Sequence, residues 1–178
     1  YTRYAKDGTC ASDFLPSEGS WTVKVRPMFT TGEIFSDGET ICYGGNPSSI
    51  GNVTEASGGD NAITYKWKAN NSDIPNAYSA SYDPPAGLTT TTTYTRYAKD
   101  GTCASDFLPS DGSWKVTVNT PPTAPTGIDG IENVCEDNST TLTAIGGSEG
   151  SGCTYQWGSG NSVGDNIIPN ATSVEYSA

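Results

Sequence analysis

Apolar and polar residues alternate in short runs along this chain, and glycine, proline, asparagine and aspartate punctuate the stretches between them. "SWTVKV" (20–25) and "SWKVTV" (113–118) are the clearest runs. Trp21, Val23 and Val25 fall on one face, as do Trp114, Val116 and Val118, with Thr22, Lys24, Lys115 and Thr117 on the other. A period of two over this length predicts a half-buried strand. "ITYKWKA" (63–69) alternates as cleanly, with Ile63, Tyr65, Trp67 and Ala69 opposed to Thr64, Lys66 and Lys68. "CTYQW" (153–157) keeps Tyr155 and Trp157 in that phase and puts Cys153 where Ile63 stood, so Cys153 is expected to be a buried free thiol. "LTTTTTYTRYAKDG" (88–101) predicts an edge-like strand passing through Tyr94, with the inward choice between Tyr94 and Tyr97 left open. The stretch around Ile50 and Val53 is weakly patterned, and only its later counterpart "TTLTAI" (140–145) places a strand there. No segment keeps a helical period. The expected fold class is therefore all-β, with Trp67, Trp114, Trp157 and Tyr94 as core residues.

The same letters recur. "YTRYAKDGTCASDFLP" stands at 1–16 and again at 94–109, and residues 1–25 differ from 94–118 only at Glu18/Asp111, Thr22/Lys115 and Lys24/Thr117. A spacing of 93 carries Cys10 onto Cys103 and Cys42 onto Cys135; one more residue of shift carries Ile74–Ala77 onto Ile168–Ala171 and Tyr82 onto Tyr176. Self-similarity at a fixed period implies tandem units. The expected organisation is the C-terminal strands of a preceding unit (1–25), a complete unit (26–118) and the N-terminal part of a following one (119–178). About 93 residues suits a seven-stranded sandwich of immunoglobulin-like type, where a Trp on a central strand pins the core.

The five cysteines change the picture only once the array is considered. Cys42 and Cys103 are the repeat-equivalent pair inside one complete unit, and they are expected to bond, tying its entrance to its exit. A loop of that length would contribute about 4 kcal/mol on a chain-entropy account. Cys10 and Cys135 would then pair outside this stretch. With no histidine and no CxxC, zinc is not expected.

The formal charge of −11, from 20 acidic and 9 basic residues, argues against nucleic acid and anionic membranes as partners. No run approaches the roughly 20 apolar residues of a membrane helix. Without histidine, and without GxSxG, HExxH or P-loop signatures, no enzyme is expected. No cofactor is expected either. Calcium stays open, because "GGDNA" (58–62) and "CEDNS" (135–139) offer oxygen ligands that turn chemistry explains equally well.

"PTAPTGIDGIENVCEDN" (122–138), "TYKW", "TYQW" and "LTTTTTYTRYAKDGTC" together resemble the PKD-like and Ig-like repeats of Bacteroidota surface proteins. "RPMFTTGEIFSDGETICYGG" (26–45) departs from that pattern by lacking the proline-rich lead. Such repeats are similar to those of very large adhesins, among them gliding-motility and filament proteins exported by the type IX pathway. The resemblance implies an extracellular or cell-surface stalk, adhesin or fibre segment. Its partners would be neighbouring repeats, or neighbouring copies in a fibre, with surface glycans as a further candidate. The alternative is a carbohydrate-binding β-sandwich module of a secreted enzyme, which would need Tyr43, Tyr78 and Tyr82 exposed on one face.

Overall fold

The computed structural model describes residues 1–152, 154–160, 162, 164–173 and 175–178, without the side chains of Ala11 and Ser12. Among the described residues it is all-β, with several sheets and no helix, an arrangement consistent with a β-sandwich. In chain order the strands are β1 (Tyr4–Asp7), β2 (Ala11–Pro16), β3 (Glu33–Ile34), β4 (Glu39–Cys42), β5 (Asn52–Thr54), β6 (Thr64–Ala69), β7 (Ser72–Asp73), β8 (Thr92–Asp100), β9 (Ala104–Pro109), β10 (Trp114–Asn119), β11 (Gly127–Asp129), β12 (Thr141–Ile145) and β13 (Glu175–Ser177).

The largest sheet runs β4-β10-β8-β6-β7, and β9 adds to β8. β8 lies at its centre. Its first half pairs with β10 (Tyr94 opposite Trp114) and its second half with β9, while β6 runs antiparallel along its other side from Tyr94 to Lys99. The threonine-rich run expected to be edge-like is therefore a central strand, paired with β6, β9 and β10. Alternation decides its faces: Thr92, Tyr94, Arg96, Ala98 and Asp100 are buried, and Tyr97 lies on the opposite side.

β3 and β5 form a small second sheet, joined to the rest by the bridges Ile50–Tyr82 and Glu33–Asp111. Ile34, Ile50, Trp67, Ala77, Tyr94 and Val116 make the core between these layers, with Ile41, Ile74, Tyr82, Leu88 and Trp114 packed around them. Tyr82 stacks on Trp67 at 5.5 Å and tilts against Tyr94 at 5.6 Å. The Trp67 indole N–H donates to the Ser79 carbonyl at 2.9 Å, which makes full burial of that ring inexpensive. Ile50, in the stretch whose pattern was weakest, is wholly buried.

The expected Cys42–Cys103 bond is not formed; both are free, exposed thiols. Sheet direction explains why. Cys42 ends β4 opposite Asn119, where the chain leaves β10, and Val116 on that strand is level with Thr92. Cys103 sits in the turn beyond Asp100, at the other end of β8. The rise per residue along β8 puts the two thiols on the order of 30 Å apart, against the roughly 6 Å between α-carbons that a disulfide requires. Iodoacetamide is expected to label both without denaturant, and a proteolytic fragment linking 42 to 103 under non-reducing conditions would refute this. Cys153 lies outside the described residues.

Residues 1–25 show what the same letters do in a different setting. β1 and β2 pair with the register of β8 and β9, Tyr4 opposite Pro16 as Tyr97 is opposite Pro109. Trp21 and Tyr1 exchange two backbone hydrogen bonds, at the position where Trp114 faces Tyr94. Yet residues 21–25 form no strand, although they were expected to. Their counterpart β10 is held between β8 and β4, and a strand is a property of the pair rather than of its own sequence.

Candidate functional site

Four features of residues 26–119 concentrate unusual chemistry: a buried cation, a buried carboxylate, a lysine-covered sheet face, and two thiols at opposite poles. Each follows from strand phase.

Arg96 is fully buried on β8 because it shares the inward phase of Tyr94. Its Nε donates to Ser110 Oγ at 3.0 Å, one terminal nitrogen to Asn52 Oδ1 and to the Ala80 carbonyl at 2.9 Å, and the other to the Thr31 carbonyl at 3.2 Å. Its guanidinium stacks 5.1 Å from the Tyr65 ring. Burial lowers its pKa, but guanidinium stays charged in proteins. Every hydrogen-bond acceptor is neutral, so the group is a hydrogen-bonded pin joining β8 to β5 and to the loops at Thr31, Ala80 and Ser110, with the Glu55 carboxylate acting on it only through charge.

Asp100 ends the same strand. Its carboxylate accepts from the backbone N–H groups of Asp60, Thr102 and Cys103 at 2.9–3.2 Å. The hydrogen-bonded Asp60 side chain comes first, and those N–H groups next, in holding it well below the usual carboxylate range. Gly59, at φ +61°, leaves room for it, since a Cβ there would stand 1.8 Å from Asp100 Oδ2. The "DGTC" letters are thus turn chemistry: Asp7 accepts from Thr9 and Cys10 in the first copy in the same way. Asp60 is itself engaged by Thr102 Oγ1. Among the described residues no cluster of three or more acidic, cysteine or histidine side chains is placed to hold a metal ion.

A carboxylate whose folded pKa is depressed contributes stability above its unfolded value of about 3.9, and loses it as pH falls toward the folded one. The melting temperature is therefore expected to drop as pH falls below about 4. In Asp100→Asn that acid-dependent drop should shrink, with a lower melting temperature at pH 7. Parallel melting curves from pH 7 to 2.5 check this, and unchanged acid sensitivity in the variant would contradict it.

The outward face of β6, β8 and β9 carries Lys66, Lys68 and Lys99 over Tyr97 and Phe107, at 4.8–5.5 Å from the rings. Asp73 pairs with Lys66 at 3.2 Å and Lys68 at 3.5 Å. These aromatic rings are roofed by lysine ammonium groups and are not bare stacking platforms. Of the tyrosines proposed for sugar, Tyr82 belongs to the core, and Tyr43 and Tyr78 are exposed without a ring contact between them among the described residues.

Of the expected core residues, Trp67 and Tyr94 are buried, and Trp114 is half-buried with its N–H donating to Glu39 Oε1 at 3.3 Å. Trp157 is half-buried in a separate small sheet region. Arg96 and Asp100 were missed, because charged residues in a strand are ordinarily assigned to the wet face. The signal was present in their spacing: residues 94, 96, 98 and 100 alternate in one phase.

A protein-family model described as a domain of unknown function (DUF8696) matches residues 30–120. No curated protein matches the chain.

Proposed function

The chain belongs to the DUF8696 family, and for it we propose a structural or adhesive role, as a building block of a stalk or fibre in a long extracellular surface protein. In this reading residues 26–118 are one immunoglobulin-like unit of a tandem array with a 93-residue period, and residues 1–25 and 119–178 belong to its neighbours. The resemblance of its motifs to the PKD-like and Ig-like repeats of Bacteroidota adhesins supports this reading.

The observation that carries it is the placement of the unit's ends. The Pro27 carbonyl accepts from Gly59 N–H beside Asp100, so the chain enters at one pole of β8. It leaves at Asn119, beside Cys42, at the other pole. Units joined this way extend end to end, and near-identical copies doing the same job suit a spacer. The dense hydrogen bonding around Arg96 ties the layers together inside each unit, which fits a module that carries load.

A carbohydrate-binding module is the lesser reading, since the exposed aromatics are either scattered or covered by lysines. Antibody raised against residues 26–118 is expected to label intact source cells as strongly as permeabilised ones. Labelling confined to permeabilised cells would overturn the surface assignment.

A further inference from the structure

Lys66, Lys68, Lys99 and Lys115 are every lysine of residues 26–119, and all four stand on the outward face of the large sheet. Register places them there. Lys66 is opposite Tyr97, Lys68 opposite Thr95 and Lys115 opposite Thr93, in the phase that turns away from the buried Tyr94 and Val116. Among the described residues Asp73 is the one carboxylate ion-paired with them, and it takes only Lys66 and Lys68. The two copies of the repeated segment agree on this face. Lys6 stands 4.7 Å over Phe14, as Lys99 stands 4.8 Å over Phe107. Where the copies differ, at Thr22/Lys115 and Lys24/Thr117, the lysine moves by two positions and keeps its phase. A face that needed only solvation could carry acids, as the rest of this chain does with 20 acidic residues against 9 basic. Gathering every lysine on one face instead points to a negatively charged partner.

The other layer carries the opposite sign. Glu33 alternates with the buried Ile34 on β3, and together with Glu55 and Asp111 it lines a shallow depression of about 480 Å³. No lysine or arginine lines that depression, and among the described residues none of the three carboxylates is ion-paired. Nor are they grouped to hold a metal ion. Phe35, just past β3, and Val53, on β5, add exposed apolar surface to the same layer. One unit thus presents an ammonium-bearing face on one sheet and a carboxylate-bearing face on the other.

We propose that the lysine face of one copy docks on the Glu33, Glu55 and Asp111 face of a second copy, so that copies pack side by side. Charge complementarity selects the occupant, since each chain carries both halves of the contact. Both faces lie within residues 26–119 and flank the core, whereas the chain enters and leaves at the two poles of β8. Units joined end to end therefore leave both faces bare. The contact uses two different faces of each copy and does not close in pairs, so it propagates sideways. Each chain has a formal charge of −11, but repulsion between distant charges is screened beyond about 8 Å at physiological ionic strength, and apposed ions are not. From Thr93 to Lys99 the lysine face spans about 20 Å and crosses strands about 4.8 Å apart. That is smaller than the roughly 800 Å² per partner of a stable interface, so the contact between single chains is weak. It does not depend on the surface location or the end-to-end array proposed above, and its failure would leave both intact.

Sedimentation equilibrium of the 178-residue chain from about 5 to 500 μM, at about 0.1 M salt, tests this. The average mass is expected to climb above 18.6 kDa with concentration, and to fall back at about 0.5 M salt. Lys66→Gln with Lys99→Gln keeps the strands and should weaken association about tenfold. Lys66→Glu with Lys99→Glu should abolish it, as should Glu33→Lys with Asp111→Lys. An equimolar mixture of these two reversed variants should associate again, because each supplies the face that the other has lost. A single chain of 18.6 kDa throughout the range would overturn the proposal. If that single chain were retained on immobilised alginate through Lys66 and Lys99, the face would pass to an acidic polysaccharide instead. Association left unchanged by Lys66→Gln with Lys99→Gln would overturn it too, as would a mixture of the reversed variants that stays apart.

Discussion

Arg96→Ala is expected to destabilise the sheet around β8 by about 3–5 kcal/mol. The substitution leaves the half-buried Ala80 carbonyl and Asn52 amide oxygen without the donor that satisfies them, while the Thr31 carbonyl keeps only the Ser110 hydroxyl. Each such orphan costs about 1–3 kcal/mol, and the lost stacking on Tyr65 adds to them. Arg96→Lys should recover little, because an ammonium cannot reproduce the planar fork that reaches three separate segments. The internal control is Arg3→Ala. Arg3 is exposed and holds Ser17 within the same hairpin, so its loss should stay within about 0.5 kcal/mol. Urea unfolding followed by tryptophan fluorescence measures both. Equal effects at the two positions would show that the buried network does not hold the layers together.

Trp67→Ala is expected to cost about 3–5 kcal/mol as well, by a different route. The ring is fully buried, stacks on Tyr82, and touches the cluster formed with Ile34, Ile50, Tyr94 and Val116. Removing it leaves a cavity between two sheets whose positions other contacts fix, so the site cannot collapse to fill it. Trp157→Ala removes the same ring from the same local geometry, but from a half-covered setting. In dilute single chains it should cost clearly less than Trp67→Ala. Urea denaturation midpoints of the two variants check this, and equal penalties at the two positions would contradict it.

The contrast between the two copies of one sequence shows how far letters alone can carry. The alternation in "SWKVTV" and "ITYKWKA" was enough to place β10 and β6, because both strands have a polar and an apolar face. The identical alternation at 21–25 gave no strand, since among the described residues it pairs only with Tyr1 and nothing stands beside it in the place of β4. Arg96 and Asp100 went unassigned for a related reason: residue type outweighed phase, although they sit two and six positions from Tyr94. The cysteine pairing failed on direction. Equivalent positions within a unit say nothing about which end of the sheet each occupies, and the parallel pairing of β4 with β10 sends Cys42 to the exit pole while Cys103 stays at the entrance. The core around Ile50 was the least legible, because a short strand buried in a small sheet leaves almost no periodic trace.

Electron microscopy of the full-length native material tests most directly whether these units are laid end to end. The account predicts unbranched strings with an axial rise on the order of 40 Å per unit, the length of one small sandwich along its strands. Isolated globular particles with no periodic strings, at any concentration, would contradict it.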